Sequence, residues 1–230
     1  QLVWRSPRRP GTIRMIANDI ITRAADTVHD TARERWTDAD WLLYLNDGER
    51  DVVSVRPEAY VSHEAVTLIP NVSRQAIPTT ALRALDFTHN LGVDGVTPGK
   101  AIRVVPREIL DAHTPLWHAA TPKDAVVNCV LDTRDPRVFY IYPRVSAAVK
   151  IAGVLSVSPP AITSTGQAIN LSDIFANALV NYCVFRALSK DGESAAAQLA
   201  QLHYQAYSNF IGAKAGVDAS ASPAATATRS

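Results

Sequence analysis

Apolar residues recur at helical spacing near both ends of the chain and at strand spacing between them. Any fold must therefore let two distant helical segments cover their stripes while the middle builds sheet. From Ile16, the positions Ile16, Ile20, Ala24 and Val28 repeat every four residues with Arg23, Asp26 and Asp30 on other faces, which predicts an amphipathic helix ending near Thr31. Thr37-Asp38-Ala39-Asp40 fits a capping box, with Trp36 before the cap and Trp41 at the fourth helical position as a hydrophobic staple. A second helix starts there and runs on through Leu42, Leu45, Glu49 and Val52 or Val53. It stops at Arg56-Pro57, because the residue before proline disfavours helical backbone.

After Pro57 the pattern becomes short runs rich in Val, Ile, Thr and aromatics, broken by Gly, Pro, Asn and Asp. Strands are predicted at Tyr60 to Leu68, Leu82 to Leu91, Ala101 to Val105, Val126 to Leu131, Val138 to Tyr142 and Val149 to Val157. In the last, Val149, Ile151, Gly153, Leu155 and Val157 alternate with Lys150, Ala152, Val154 and Ser156 at period two. Asp132 to Arg137 reads as the turn of a hairpin. Pro106 at a first helical position predicts a short helix over Arg107 to Ala112.

Helical spacing returns with Ser172 as N-cap and Phe175, Ala178, Leu179, Tyr182, Phe185 and Leu188 on one side, closed by Gly192. A further helix is predicted from Ser194 to Ile211 with Ala195, Leu199, Leu202, Ala206 and Phe210 as its core stripe. Beyond it, Ala, Ser, Thr and Gly dominate a tail that has too little apolar surface to order alone. The expected class is α+β. Helices of 15–56 and 172–212 form a bundle, 57–171 is an inserted antiparallel β-rich lobe, 1–14 is a basic extension and 213–230 a flexible tail.

Candidate chemistry is sparse. Lys plus Arg number 23 against 22 for Asp plus Glu, a balance that argues against a dedicated nucleic-acid binder. Cys129 and Cys183 match no metal spacing and read as small buried apolar groups without a disulfide. Asp111, His113 and His118 are the one grouping of metal-ligand types, and Pro115 breaks it. Gly95-Val96-Thr97-Pro98-Gly99-Lys100-Ala101 brushes against a phosphate loop but has three residues between its glycines and no hydroxyl after Lys100, so it reads as a hairpin loop. Asp38, Asp40, Glu49 and Asp173 read as caps, first-turn charges or solvated positions. The sequons at Asn71 and Asn170 carry no expectation of glycosylation.

Among the aromatics, the stripes place Trp36, Trp41 and Tyr182 in a core and leave Tyr44, Tyr204 and Tyr207 open between core and interface. The only methionine, Met15, precedes the first helix and is expected to be the native start. Residues 1–14 are then an upstream extension, or else Arg5, Arg8, Arg9 and Arg14 with Pro7 and Pro10 form a basic arm that touches DNA or a partner. The expected partner interface is Tyr204, Tyr207, Phe210, Ile211, Lys214 and Val217 together with Arg5, Arg8 and Arg9.

The run Arg35-Trp36-Thr37-Asp38-Ala39-Asp40-Trp41-Leu42-Leu43-Tyr44-Leu45-Asn46-Asp47-Gly48 resembles the opening of short-tailed bacteriophage head-to-tail adaptor, or connector, proteins. Further matches are Arg56 to Tyr60, Asp135 to Pro143, Asp173 to Tyr182 and Tyr204 to Tyr207, so the resemblance spans Met15 to Ile211. It implies a structural virion protein similar to tail tubular or gatekeeper subunits, without catalytic residues, metal or cofactor. Such a subunit is made in the host bacterial cytoplasm and resides in the neck of the virion. It forms a dodecameric ring that joins the portal protein to tail and nozzle proteins, and double-stranded DNA is packaged, retained and ejected through its bore. No membrane contact is implied. The alternative is a soluble binding module or small enzyme with the same layout, which a ligand-dependent shift in melting temperature would reveal.

Overall fold

The computed structural model describes the backbone of residues 14–190 and 194–221, with side chains to residue 190 and from 196 to 212. The fold is mixed α/β. Its helices are α1 (Ala17–Thr27), α2 (Asp38–Val55), α3 (Arg107–His113), α4 (Ala176–Ser189) and α5 (Ser194–Ala221). Its strands are β1 (Val61–Thr67), β2 (Arg74–Ala76), β3 (Ala81–Leu91), β4 (Pro98–Ala101), β5 (Arg103–Val104), β6 (Asn128–Leu131), β7 (Val138–Tyr142) and β8 (Lys150–Val157). The described residues divide into two compact units, one of residues up to Val55 and from Pro159 onward, the other Arg56–Ser158.

In the helical unit the local signals act as their chemistry dictates. Thr37 N–H donates to Asp40 Oδ2 (3.1 Å) and Asp40 N–H donates to Thr37 Oγ1 (3.3 Å), which satisfies two donors at the start of α2. The Trp36 and Trp41 rings lie 5.9 Å apart as the staple. Asp40 also takes a 3.0 Å bond from Lys190 Nζ, and the Thr37 and Lys190 bonds hold its carboxyl below the usual range. α4 packs against α1, α2 and α5, and α1 touches α2. At Gly48 a methyl group would sit 2.9 Å from Tyr182 Cδ1, so the bare backbone of α2 admits the α4 ring.

Residues 159–171, expected in the β lobe, belong to the helical unit. Thr165 O and Gln167 O accept the Asn18 and Ala17 N–H groups at 2.8 Å, supplying first-turn donors of α1 with acceptors they cannot find within the helix. Ile162, Ile169 and Leu171 are buried there. Two side chains of α2 fix the segment from the other side. Asn46 accepts Ile162 N–H (2.7 Å) and returns Nδ2 to Ile162 O (2.9 Å). Glu49 accepts Asn170 N–H (2.7 Å), Asn170 Nδ2 (2.6 Å) and Leu171 N–H (3.3 Å).

Glu49 thus corrects its reading as a solvated or first-turn acid: it is 1% exposed, and burial lifts its carboxyl above the ordinary value against the pull of those donors. The Asn170 amide is engaged by Glu49 and by Pro160 O.

The second unit holds two four-stranded sheets, ordered β1-β8-β3-β4 and β2-β7-β6-β5. Val66, Phe87, Cys129, Phe139, Ile141, Ile151 and Leu155 are among the buried residues of the core they share, and the Phe87 and Phe139 rings stand 4.3 Å apart. The period of β8 is as read, with Ile151, Gly153 and Leu155 buried, while Ser156 is buried as well. β6 and β7 form the hairpin expected around Asp132 to Arg137.

Four features differ from expectation. β5 pairs with β6 in parallel, so the sheets are not wholly antiparallel. The run expected as one strand from Ala101 to Val105 is β4 and β5, and β2 was not foreseen because three residues carry too little period to read. Pro106 is the N-cap of α3 rather than its first residue.

Polar side chains again close the loops. Gln75 binds Ile69 through both its oxygen and its amide nitrogen and also reaches Val72 O. Buried Asn90 donates to Lys100 O and Val126 O and accepts Val126 N–H.

Candidate functional site

The last helix carries the features that bear on function. Its core-facing residues are Ala196, Ala200, Tyr207 and Ile211, not the predicted stripe. Leu199 is 51% and Leu202 60% exposed, Ala206 is exposed and Phe210 is half-buried; Ala195 lies outside the described side chains. α5 therefore has two apolar faces. Packing on α4 selects the one that begins with alanines, because small side chains let two helix backbones approach closely. The leucine face is left to solvent at the helical steps Leu199, Leu202 and Ala206.

The aromatic side chains link the two faces. Tyr182 stacks edge-on against Phe185 and Tyr207, at 6.0 and 5.2 Å, and Tyr204 sits 5.0 Å from Phe185 and 6.1 Å from Tyr207. Tyr207 donates its hydroxyl to Asp51, and burial with this acidic neighbour pushes its own pKa far up. Arg186 lies 3.3 Å from Asp47 and over the Tyr44 ring, so α2 and α4 are joined by charge as well as by packing.

Of the residues expected at a partner interface, Tyr204 is 41% exposed and Phe210 half-buried, whereas Tyr207 (3%) and Ile211 (2%) are buried within the unit. Lys214, Val217, Arg5, Arg8 and Arg9 lie outside the described side chains. α5 continues to Ala221, so the tail expected from 213 begins as helix. Alanine is the strongest helix former, and Ala213, Ala215 and Ala219 extend the segment past Ile211.

The grouping of Asp111 and His118 is an aromatic corner. Trp117 is fully buried with Leu110 and Val130 and donates Nε1–H to Asp111 at 2.8 Å. His118 stacks 3.6 Å over Trp117 and meets Ser73 Oγ at 3.2 Å, while partial burial lowers its pKa. Among the described residues no cluster of His, Cys, Asp or Glu is arranged to hold a metal ion.

The glycine-rich loop is a hairpin tip. Asp94 accepts Val96 N–H, Thr97 N–H and the Thr97 hydroxyl, which brings its pKa down to about 2. Gly95 takes φ 73°, where a side chain is strained. A cleft of about 450 Å³ lies between β5, α3 and the β6–β7 turn, lined by Val105, Arg107, Leu131, Arg134 and Tyr140 among others. Cys129 and Cys183 are free and buried, and burial pushes both thiols well up.

Among the described residues no helix is long and apolar enough to cross a membrane. No curated protein sequence matches the chain. A family model described as SU10 adaptor protein matches residues 15–227, from Met15 through α5 and past its described end. With more than nine tenths of its length inside that match, the chain belongs to the SU10 adaptor protein family, a family of structural phage head-to-tail adaptors.

Proposed function

We propose that this protein is a ring-forming neck subunit: copies assemble head to tail beneath the portal protein, attach tail proteins on the other side, and leave a bore through which DNA is retained and then ejected. The observation that carries the assembly is the leucine face of α5. An isolated subunit leaves Leu199 and Leu202 about half exposed to water on a helix whose opposite face is already packed, and each gains roughly 1–1.5 kcal/mol when the remainder is covered. A heterologous contact of that face with a different patch on the next copy closes into a ring where the rotation permits. In this reading the helices of 15–56 and 172–212 form the bundle between neighbours and the sheet unit is the inserted lobe toward the tail. The C-terminal end of α5 and the residues beyond reach the portal or a neighbour.

The near-equal charge count suits a conduit, since a strongly basic bore would retain the duplex through many phosphate contacts. The decisive experiment is the solution mass of the chain alone and after mixing with portal rings, with electron microscopy of the product. A second ring stacked on the portal is the expected result. The double variant L199E/L202E should fold normally, because both positions are exposed, and fail to assemble. Failure of the unaltered chain to associate at any salt concentration overturns the proposal.

A further inference from the structure

The loop between β3 and β4, residues 92–97, is fixed in shape yet presents apolar side chains to water. Gly92 N–H donates to Thr97 O (3.1 Å) and Gly95 N–H to Gly92 O (2.9 Å). Asp94 accepts the Val96 and Thr97 N–H groups and the Thr97 hydroxyl, and closes the frame. On that frame Val93 is 69% and Val96 77% exposed. A hairpin tip that only turns the chain is ordinarily polar.

The same unit holds a receptor of matching kind. The 450 Å³ cleft beside β5 opens over Val104, which is 40% exposed, and over half-buried Val105, Leu131 and Tyr140. Its floor rests on Val130, packed with Leu110 and the fully buried Trp117. Its rim is set by Asp132, which accepts Arg134 N–H at 2.9 Å. Both partners are preformed, so little ordering entropy opposes a contact between them.

We propose that the β3–β4 loop of one copy seats Val93 and Val96 in this cleft of the next copy. The proposal deepens the ring reading by naming one contact between neighbours, made by their sheet units. The valines are exposed, so the loop does not fill the cleft of its own subunit. Tip and cleft are different patches of one unit, joined through β4 and β5. Each subunit can therefore give a tip to one neighbour and take one from the other, which is the heterologous contact a closed ring needs.

The charges support the same occupant. The tip carries Asp94, and the Lys150 side chain lies along Gly95. The cleft is lined by Arg107 and Arg134 together with Glu108 and Asp132, so each sign on the tip has its opposite on the receptor.

The test is disulfide trapping under oxidised glutathione, with the full chain at rising concentration and in the portal-bound assembly. Mixed single variants Val96→Cys and Val104→Cys are expected to cross-link about tenfold or more faster than Val96→Cys mixed with Ile69→Cys. Ile69 is an equally open position held by Gln75 of β2, at the opposite edge of the sheet that ends in β5. The double variant V96C/V104C should give a ladder of covalent multimers, because each copy both gives and takes. V93D/V96D should keep the parent's melting temperature, since both side chains are exposed, and weaken association by about tenfold or more.

Equal cross-linking rates with Val104→Cys and Ile69→Cys overturn the proposal. So does a V96C/V104C product that stops at the dimer, which means a reciprocal two-fold exchange of tips. If the ladder forms but no ring stacks on the portal, this contact stands and the portal reading falls. A portal-bound ring without the cross-link has the opposite meaning.

Discussion

Glu49 offers the sharpest test of how the helical unit is held together. Its carboxylate is buried and serves three donors, the N–H groups of Asn170 and Leu171 and the Asn170 amide. Glu49→Ala strands the two backbone N–H groups, while the amide keeps its bond to Pro160 O. Each orphaned buried donor costs about 1–3 kcal/mol, and relief from burying a charge returns part of the sum. The net loss should be about 3 kcal/mol.

Glu49→Gln keeps one oxygen for both N–H groups. It loses charge assistance and turns its own amide toward that of Asn170, but it also escapes the burial that raises the carboxyl's pKa. Its cost should be about 1 kcal/mol. Urea unfolding of the full chain measures both as shifts in midpoint at unchanged slope. Equal losses in the two variants would show that packing, not acceptor loss, is at work. A Glu49→Ala change within about 0.5 kcal/mol of the parent would refute the reasoning outright.

Four further outcomes are expected. Trp41→Ala, at a fully buried position, should lower stability by about 3–5 kcal/mol in the same assay. Asp40 has its folded pKa held below 3.8, so its contribution is complete above that value and fades as pH falls through the lowered one; Asp40→Asn should flatten the acid limb of a stability-versus-pH curve. Gly95→Ala forces a side chain into φ 73° and against Lys150, and should cost about 1–2 kcal/mol by thermal unfolding. Cys129 and Cys183 should resist a thiol reagent in the native protein and both react in denaturant, since buried high-pKa thiols present no thiolate.

Local chemistry was written plainly in the chain. The Thr37–Asp40 box, the Trp36–Trp41 staple, the alternation of β8 and the break at Arg56-Pro57 each depend on residues within a few positions of one another. Periodicity and capping therefore specify them before any tertiary contact exists. The order of motifs likewise carried the family resemblance, which the match over residues 15–227 bears out.

What the sequence left open depends on partners far away along the chain. Glu49 looks like an ordinary helix-surface acid until Asn170, 121 positions on, is brought against it. The stretch from Pro159 to Leu171 has no strong period of its own, and its membership in the helical unit follows from Ala17, Asn18, Asn46 and Glu49 binding its backbone.

The stripe of α5 shows the same division. A helix with apolar residues on two faces has no preferred inward side, and the period alone selected Leu199 and Leu202. Only the fit of Ala196 and Ala200 against α4 decided the matter, and in doing so it turned the leucines outward. The sequence determined the elements and their ends, because those are local free-energy choices. The tertiary structure determined which faces are buried, because that choice belongs to pairs of surfaces and not to either one.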